Sequence, residues 1–339
     1  MHMADALLSP VVGGVMTAAS AGSIGYSVKK IAGDKLDEKK IPMMGVMGAF
    51  VFAAQMINFT IPGTGSSGHI GGGILLAALL GPFPALLTIA SVLLIQCLLF
   101  ADGGLLAYGC NVLNMGVVMC LLSYQLIFRT IVKKGMNKKN ITIASVLSVV
   151  IGLQIGAFCV VMETLISGVT ELPFGAFSAL MQPIHLVIGL VEGLVTAAVL
   201  CFVHSARPEL IDSSVNNEKI AAGVPIKKVL TVFLLLTVLV GGALSLFAST
   251  FPDGLEWSVE SVAGTAEFER ESAVHDTMGS IVDSTAFMPD YAFADDEEGS
   301  PLGTATAGIV GSAFTIVLAG GIGLVIRAAR KKSSHGKPA

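Results

Sequence analysis

The chain opens Met1-His2-Met3-Ala4-Asp5, which sets a free α-amine one residue ahead of an imidazole. The amine, the His2 backbone nitrogen and the His2 ring nitrogen nearest the chain close a five- and a six-membered ring on one metal ion, leaving one position open in a plane. Tetragonal nitrogen coordination suits nickel(II) or copper(II), which favour loss of the amide proton, whereas calcium and magnesium take oxygen ligands. The bulk of His2 predicts that Met1 is retained, so the amine stays where the chelate needs it. A second-position histidine also occurs in solvated tails, so a fourth donor is required. His69 fits best, within Gly65-Ser66-Ser67-Gly68-His69-Ile70-Gly71-Gly72-Gly73, whose glycines let backbone approach backbone. A helix cap with a satisfied histidine is its plain alternative. His185 is a weaker rival, His204 and His335 fall on the opposite side, and His275 lies in an acidic loop.

Other polar residues stand in or beside apolar runs. Asn58, Asn111 and Asn114, with Ser67 next to His69, are placed to hold the outer ring nitrogens of metal-bound histidines, the alternative being interhelical hydrogen bonds. Glu192 stands mid-membrane, almost two helical turns beyond His185, so both point the same way. An ionisable group at that depth is costly and faces the interior, which gives the pair a gating or packing role rather than metal ligation. Gly14, Ala18 and Gly22 form a small-residue stripe for close approach of another helix, from a partner subunit or from this chain.

Several chemistries are missing. No G-x-x-x-x-G-K-[ST] phosphate loop occurs, and the glycine run at Gly71 lacks the lysine, so the chain is not expected to use ATP itself. No nucleophile constellation suggests an enzyme, no resident cofactor or nucleic-acid partner is expected, and no acid or histidine relay through several helices suggests proton drive. Energy must then come from an external motor. Cys97, Cys110, Cys120, Cys159 and Cys201 lie in apolar runs with no C-x-x-C pair, as packing residues would.

The elements that position these residues follow from composition. Of 339 residues, 53% are hydrophobic and 13% charged, too few polar residues to coat a soluble globule. Recurrent apolar runs of roughly 20 residues predict an all-α, polytopic helical membrane protein rather than a barrel. About nine helices are expected, near 10-29, 41-60, 68-81, 84-101, 105-129, 140-163, 183-204, 229-250 and 304-327. The third is short for a crossing. Basic residues collect at Lys29 to Lys40, Arg129 to Lys139, Arg207 to Lys228 and Arg327 to Lys332. With 68-81 counted as a full crossing, the positive-inside rule puts all four in the cytoplasm, the N-terminus outside and the C-terminus inside. The first lysine is Lys29 and no secretory signal pattern precedes it. Residues 1-204 then form a seven-helix metal-capture body, 205-228 a polar cytoplasmic linker, and 229-339 a two-helix appendage. Its extracytoplasmic segment, 251-303, holds 13 of the chain's 24 acidic residues against the single Arg270 and reads as a flexible acidic loop.

A family likeness rests on five segments of the body: Met1-His2 followed by Leu8-Ser9-Pro10, Phe52-Ala53-Ala54-Gln55-Met56-Ile57-Asn58-Phe59, Ser67-Gly68-His69, Leu99-Phe100-Ala101-Asp102-Gly103-Gly104-Leu105, and Gly109-Cys110-Asn111-Val112-Leu113-Asn114-Met115-Gly116. Pro252-Asp253-Gly254-Leu255-Glu256-Trp257 and Gly308-Ile309-Val310-Gly311-Ser312 extend it through the appendage. Over nearly the whole chain these resemble the M subunit of nickel/cobalt energy-coupling-factor (ECF) transporters, the NikM/CbiM family, fused to its small N subunit. The resemblance implies a substrate-specific capture component of an ABC importer in the cell membrane of a prokaryote. Its cargo would be Ni(II) or Co(II), held by the Met1 amine, the His2 backbone and ring nitrogens and the His69 ring. Its partners would be a transmembrane coupling (T) protein and paired cytoplasmic ATPases, besides membrane lipid. Ser67-Gly68-His69-Ile70 is closer to the nickel form than to the Ser-His-Pro-Thr form of many cobalt members. A stand-alone secondary transporter for divalent transition-metal cations and a capture subunit for an organic vitamin are the competing readings.

Overall fold

The computed structural model describes residues 1–33, 37–266, 268, 272–294 and 300–335, the last five by their backbone alone. Arg270, Lys35, the acids Glu267, Glu269, Glu271 and Asp295 to Glu298, and the side chains of Lys331, Lys332 and His335 lie outside the described residues.

Helices α1 (Pro10–Gly33), α2 (Lys40–Gln55), α3 (Gly73–Leu80), α4 (Pro82–Phe100) and α5 (Tyr108–Val132) are followed by α6 (Lys138–Ser167), α7 (Phe174–Ala206) and the short α8 (Pro208–Val215). Then come α9 (Ile226–Gly242), α10 (Gly254–Ala263), α11 (Ala273–Thr285) and α12 (Pro301–His335). Seven are long and apolar enough to cross a membrane, and α2 is a shorter apolar helix among the described residues. The chain is a polytopic helical membrane protein. In α5 the stretch Val112–Phe128 is wound in the wider π geometry.

Helix α2 is the central element, buried from Ile41 to Gln55 except at Pro42 and Val46. The last helix lies directly on it through small residues. A Cβ at Gly45 would come within 2.9 Å of the Ile316 carbonyl, one at Gly48 within 2.9 Å of the Thr315 methyl, and Ser312 Oγ donates to the Ala49 carbonyl at 3.0 Å. In lipid, where no hydrophobic drive separates helix from solvent, such close backbone contact and interhelical hydrogen bonding are the attraction that remains.

The third expected helix is corrected. It starts at Gly73, not 68, and spans eight residues, about 12 Å at 1.5 Å per residue. Before it, Phe59–Ile61 (β1) pairs antiparallel with Ser66–Gly68 (β2), Phe59 opposite Gly68, so among the described residues one small hairpin interrupts the all-α pattern. Residues 69 to 72 have no regular structure, and Gly72 lies in the left-handed region at φ +77°, a conformation that side chains resist and that a helix cannot continue through. The segment nevertheless travels from the hairpin to Gly81, whose Cβ position is 4.0 Å from Lys40 Nζ at the far end of α2. Gln55 Nε2 donates to the Gly71 carbonyl at 3.0 Å and Gly72 N–H donates to Glu192 Oε1 at 2.9 Å. Non-helical backbone survives at this depth because it is enclosed by protein that satisfies it.

Three further expectations change. The seventh helix begins at Phe174 and carries Pro183 inside it, rather than starting at 183. Residues 205-228 are not a bare linker: Leu210, Ile211 and Val215 of α8 are buried, Ser214 Oγ donates to the Ala77 carbonyl at 2.7 Å and Arg129 Nε to the Val215 carbonyl at 2.7 Å. Residues 251-303 are not a flexible loop over their described parts, which fold into α10, α11 and a turn at Pro289–Tyr291 docked on the body.

Contacts gather the basic segments at one end: Lys39 Nζ donates to the Ala221 carbonyl at 2.6 Å, Ile220 N–H to Asp37 Oδ2 at 2.7 Å, and Arg327 pairs with Glu38 at 2.7 Å. Met1, His69, Asp102 and Asp253 meet at the other end.

Candidate metal centre

Residues 1 to 8 enter the bundle instead of trailing in solvent; Met3 and Leu8 are fully buried and Met1 and Leu7 nearly so. The segment has no regular partner strand, so side chains and loops satisfy it. Asn111 grips Met3 from both sides, Oδ1 accepting its N–H at 2.8 Å and Nδ2 donating to its carbonyl at 3.2 Å. Gly104 N–H donates to the Met3 carbonyl at 2.9 Å, and Ala107 N–H to Asp5 Oδ1 at 2.9 Å. A Cβ at Gly104 would overlap Asp5, which is why the turn after α4 needs glycine there. His275 of α11 clamps the far end, with Nε2 2.8 Å from the Leu8 carbonyl.

The opposite wall comes from the hairpin. Ser67 N–H donates to the Pro252 carbonyl at 2.8 Å and Ser67 Oγ to the Phe251 carbonyl at 2.8 Å, so the chain before α10 runs along β2 and delivers Asp253 to the face of His69. The Met1 amine is then 3.5 Å from His69 Nε2, and the His2 and His69 rings stack at 5.2 Å with an interplanar angle of 4°. His69 Nδ1 is 3.4 Å from the Ile70 carbonyl, leaving Nε2 as the free lone pair toward the amine.

Two carboxylates hold the nitrogen donors. The N-terminal ammonium pairs with Asp253 Oδ2, while Asp253 Oδ1 caps α10 through Leu255 N–H at 2.8 Å and Glu256 N–H at 2.9 Å. His2 Nδ1 is 3.1 Å from Asp102 Oδ1, and the Tyr291 hydroxyl donates to Asp102 Oδ2. Burial raises both acids, but the ammonium and His69 outweigh it at Asp253, which lies well below the usual carboxylate range. At Asp102, His2 and its hydrogen bond outweigh burial and bring the acid to about 2. Burial first, then the neighbouring ammonium and His2, push His69 down to about 3, so its ring is neutral at ordinary pH and its lone pair is available. The chelate's ring nitrogen and amine therefore both face carboxylates, which a metal ion would have to displace.

Outside these groups an acid-rich vestibule of about 570 Å³ opens between the body and the 251-303 region, lined among others by Asp102, Asp253, Glu256, Glu260 and Asp290. A cleft lined by one sign of charge raises the local concentration of the opposite ion.

The four residues expected around the histidines do not bond to them among the described residues. Asn111 holds the N-terminal segment, Ser67 docks the hairpin to residues 251-252, and the Asn58 carbonyl accepts Ser249 N–H at 2.8 Å. Asn114 donates to Glu163 Oε2 at 2.8 Å. The histidines instead look to Asp102, Asp253 and the Ile70 carbonyl. Sequence reasoning missed these two acids and Gln55, although all three stood in the quoted segments. The signal for Asp253 is an N-cap acid ahead of Gly254-Leu255-Glu256-Trp257. His185 and Glu192 are buried below the site, lining a second, smaller cavity with Met1 and His69. Gly14, Ala18 and Gly22 are exposed, and a Cβ at either glycine would meet nothing within 4 Å, so the stripe is not packed within this chain. Among the described residues no three His, Cys, Asp or Glu side chains cluster as a conventional metal site.

Residues 2–210 match the family model described as the cobalt uptake substrate-specific transmembrane region, CbiM, and residues 227–328 match the PDGLE domain. The chain is 37% identical over 226 residues to the putative fused nickel transport protein NikMN of Archaeoglobus fulgidus, covering 66% of this chain and 72% of the relative. It is 31% identical over 329 residues to the probable fused nickel transport protein LarMN of Lactiplantibacillus plantarum, covering 94% of each. A crystal structure of a transition metal transporter aligns at TM-score 0.54 and 30% identity, over 62% of this chain and 95% of the other.

Proposed function

From the premise that the chain belongs to the CbiM family, with a PDGLE domain following in the same polypeptide, we propose that it is the substrate-specific component of an ECF-type importer for nickel, with cobalt the competing cargo. Nickel/cobalt transport in a cell membrane is the function of the family; the donor set and the motor are the finer reading. The observation that carries it is the approach of the Met1 amine to 3.5 Å from His69 Nε2 with the His2 ring stacked beside them. Three nitrogen sources separated by 68 residues in sequence meet at the mouth of the bundle.

The acidic vestibule draws the hydrated cation in. The ion then exchanges the Asp253 and Asp102 contacts for bonds to the amine, the His2 amide and ring nitrogens and His69 Nε2. Loading releases the protons carried by the amine and the amide, so affinity rises with pH. The positive-inside rule puts this mouth outside and the basic end in the cytoplasm. The exposed Gly14, Ala18 and Gly22 stripe on α1 is the docking face for a transmembrane coupling protein, whose paired ATPases supply the energy. The body 1-204 performs capture, and 229-339 carries the PDGLE contribution. The chain itself is not an enzyme and keeps no resident cofactor.

The test is a metal-by-metal titration of the purified chain with absorption spectra, beside a variant lengthened by one residue ahead of Met1. Planar nickel(II) and its loss in the lengthened chain are expected; equal nickel binding by that variant overturns the reading.

A further inference from the structure

A second group of donor atoms lies beneath the outer cluster. His185 and Glu192 sit two turns apart on α7, 1% and 0% exposed, and both line a narrow cavity of about 20 Å³ that reaches Met1, His69, Met115 and Met119. His185 Nδ1 is 2.8 Å from the Met181 carbonyl, which fixes the ring proton there and leaves Nε2 a bare acceptor, buried without a partner. Glu192 Oε1 accepts Gly72 N–H, and Oε2, which lies against Gly71, is buried without a partner. Buried polar atoms nearly always have partners, so two orphans facing one cavity ask for an occupant.

Both unmatched atoms belong to residues lining this one cavity, and about 10 Å of helix rise separates the two residues along α7. Met115 and Met119 line the same wall, and methionine beside imidazole and carboxylate is a residue set that fits a transition-metal cation better than a hard one. We propose that His185 Nε2 and Glu192 Oε2, in series with these methionines, form an inner relay along which the metal ion steps after leaving the outer site. The ion moves from His69 to His185 and then to Glu192, whose other oxygen holds Gly72 at the start of α3. Arrival is thereby felt by the non-helical segment that carries His69. The relay rests on the capture reading, and binding and uptake tell the two apart.

The experiment compares the full chain with Glu192→Gln and His185→Gln. Nickel binding is measured on purified protein and radionickel accumulation in cells that also supply the chain's own transport partners. Glu192→Gln keeps the acceptor for Gly72 while removing the anionic oxygen. Each variant is expected to bind nickel like the parent and to accumulate roughly 10–100-fold less, the range that losing one supporting metal contact commands. Accumulation equal to the parent overturns the relay, and so does a loss of binding that matches the loss of accumulation. Failure of the parent itself to bind nickel would instead remove the capture reading. A Glu192→Cys variant titrated with cobalt(II) checks contact directly: a thiolate-to-cobalt charge-transfer band absent from the parent supports the relay, and its absence overturns Glu192 as a ligand.

Discussion

Asp102 and Asp253, at the mouth of the bundle, have both carboxylate oxygens engaged, by His2 and Tyr291 in one case and by the ammonium and the first turn of α10 in the other. Glu192 and Glu163, inside the bundle, each have one oxygen hydrogen-bonded, to Gly72 and Asn114, and one buried without a partner. The difference separates two uses of a buried acid. A fully matched carboxylate is a counter-ion that holds a donor in place and must be displaced when the ion arrives. A half-matched one is an open acceptor, expensive to keep in a membrane, and at Glu192 the proposed relay gives it a use.

The comparison breaks first at the donors. His69→Ala is expected to abolish tight nickel binding, a loss beyond the roughly 10–100-fold of a supporting contact, because the amine and His2 would be left without the fourth nitrogen of the plane. Gly104→Ala should do nearly as much without touching a donor. Its Cβ would occupy the space of Asp5 and expel the N-terminal segment, while the helices keep their fold by far-ultraviolet circular dichroism. Binding by Gly104→Ala equal to the parent would mean that the seat of residues 1 to 8 is irrelevant to capture.

The two outer acids should then part company. Asp253→Asn retains the cap on α10 through Oδ1 but frees the ammonium of its counter-ion, so the metal has less to displace. A hydrogen bond to a charged group contributes about 1.5–3 kcal/mol, and recovering half of it tightens nickel binding roughly three- to tenfold. Asp102→Asn also frees the chelating His2 Nδ1, but it loses the charge that sets the ring in place before loading, and that lost preorganisation should outweigh the gain and weaken binding several-fold. Titration calorimetry reads both, and two changes of the same sign would refute the division of roles.

How far the sequence reveals this site depends on the kind of contact. That Met1, His2 and His69 come together was legible because an amine and imidazole at the chain start need one further outside-facing nitrogen donor, and His69 fitted best; that they hold a metal is the proposal. The seven long apolar helices and the shorter α2 were legible because lipid forces helix-length segments. Residues 68-72 were misread because apolar content alone cannot show that Gly72 takes a positive φ and that Gln55 and Glu192 replace helical hydrogen bonds. The folding of the described parts of 251-303 was hidden by the segment's charge: thirteen acids suggest solvation, yet Asp253 is drawn inward by an ammonium 252 residues away. Glu163 stood in an apolar run with nothing nearby in sequence to mark Asn114 as its partner.

Tyr291→Phe is the smallest change and the one that isolates the PDGLE region's reach into the site. The ring stacks on Phe100 at 5.0 Å and 25°, a contact that phenylalanine preserves, so only the hydroxyl donated to Asp102 is lost. Asp102 would then hold His2 with one oxygen unmatched, the condition of Glu192 and Glu163. If full matching is what makes an outer acid a firm counter-ion, nickel binding should weaken by a factor of a few, about the ~1 kcal/mol that a single hydrogen bond contributes net. An unchanged affinity would show that Asp102 steadies His2 without help from the PDGLE part. A loss as large as that of Asp102→Asn would show that the hydroxyl, not the charge, fixes the carboxylate against the ring.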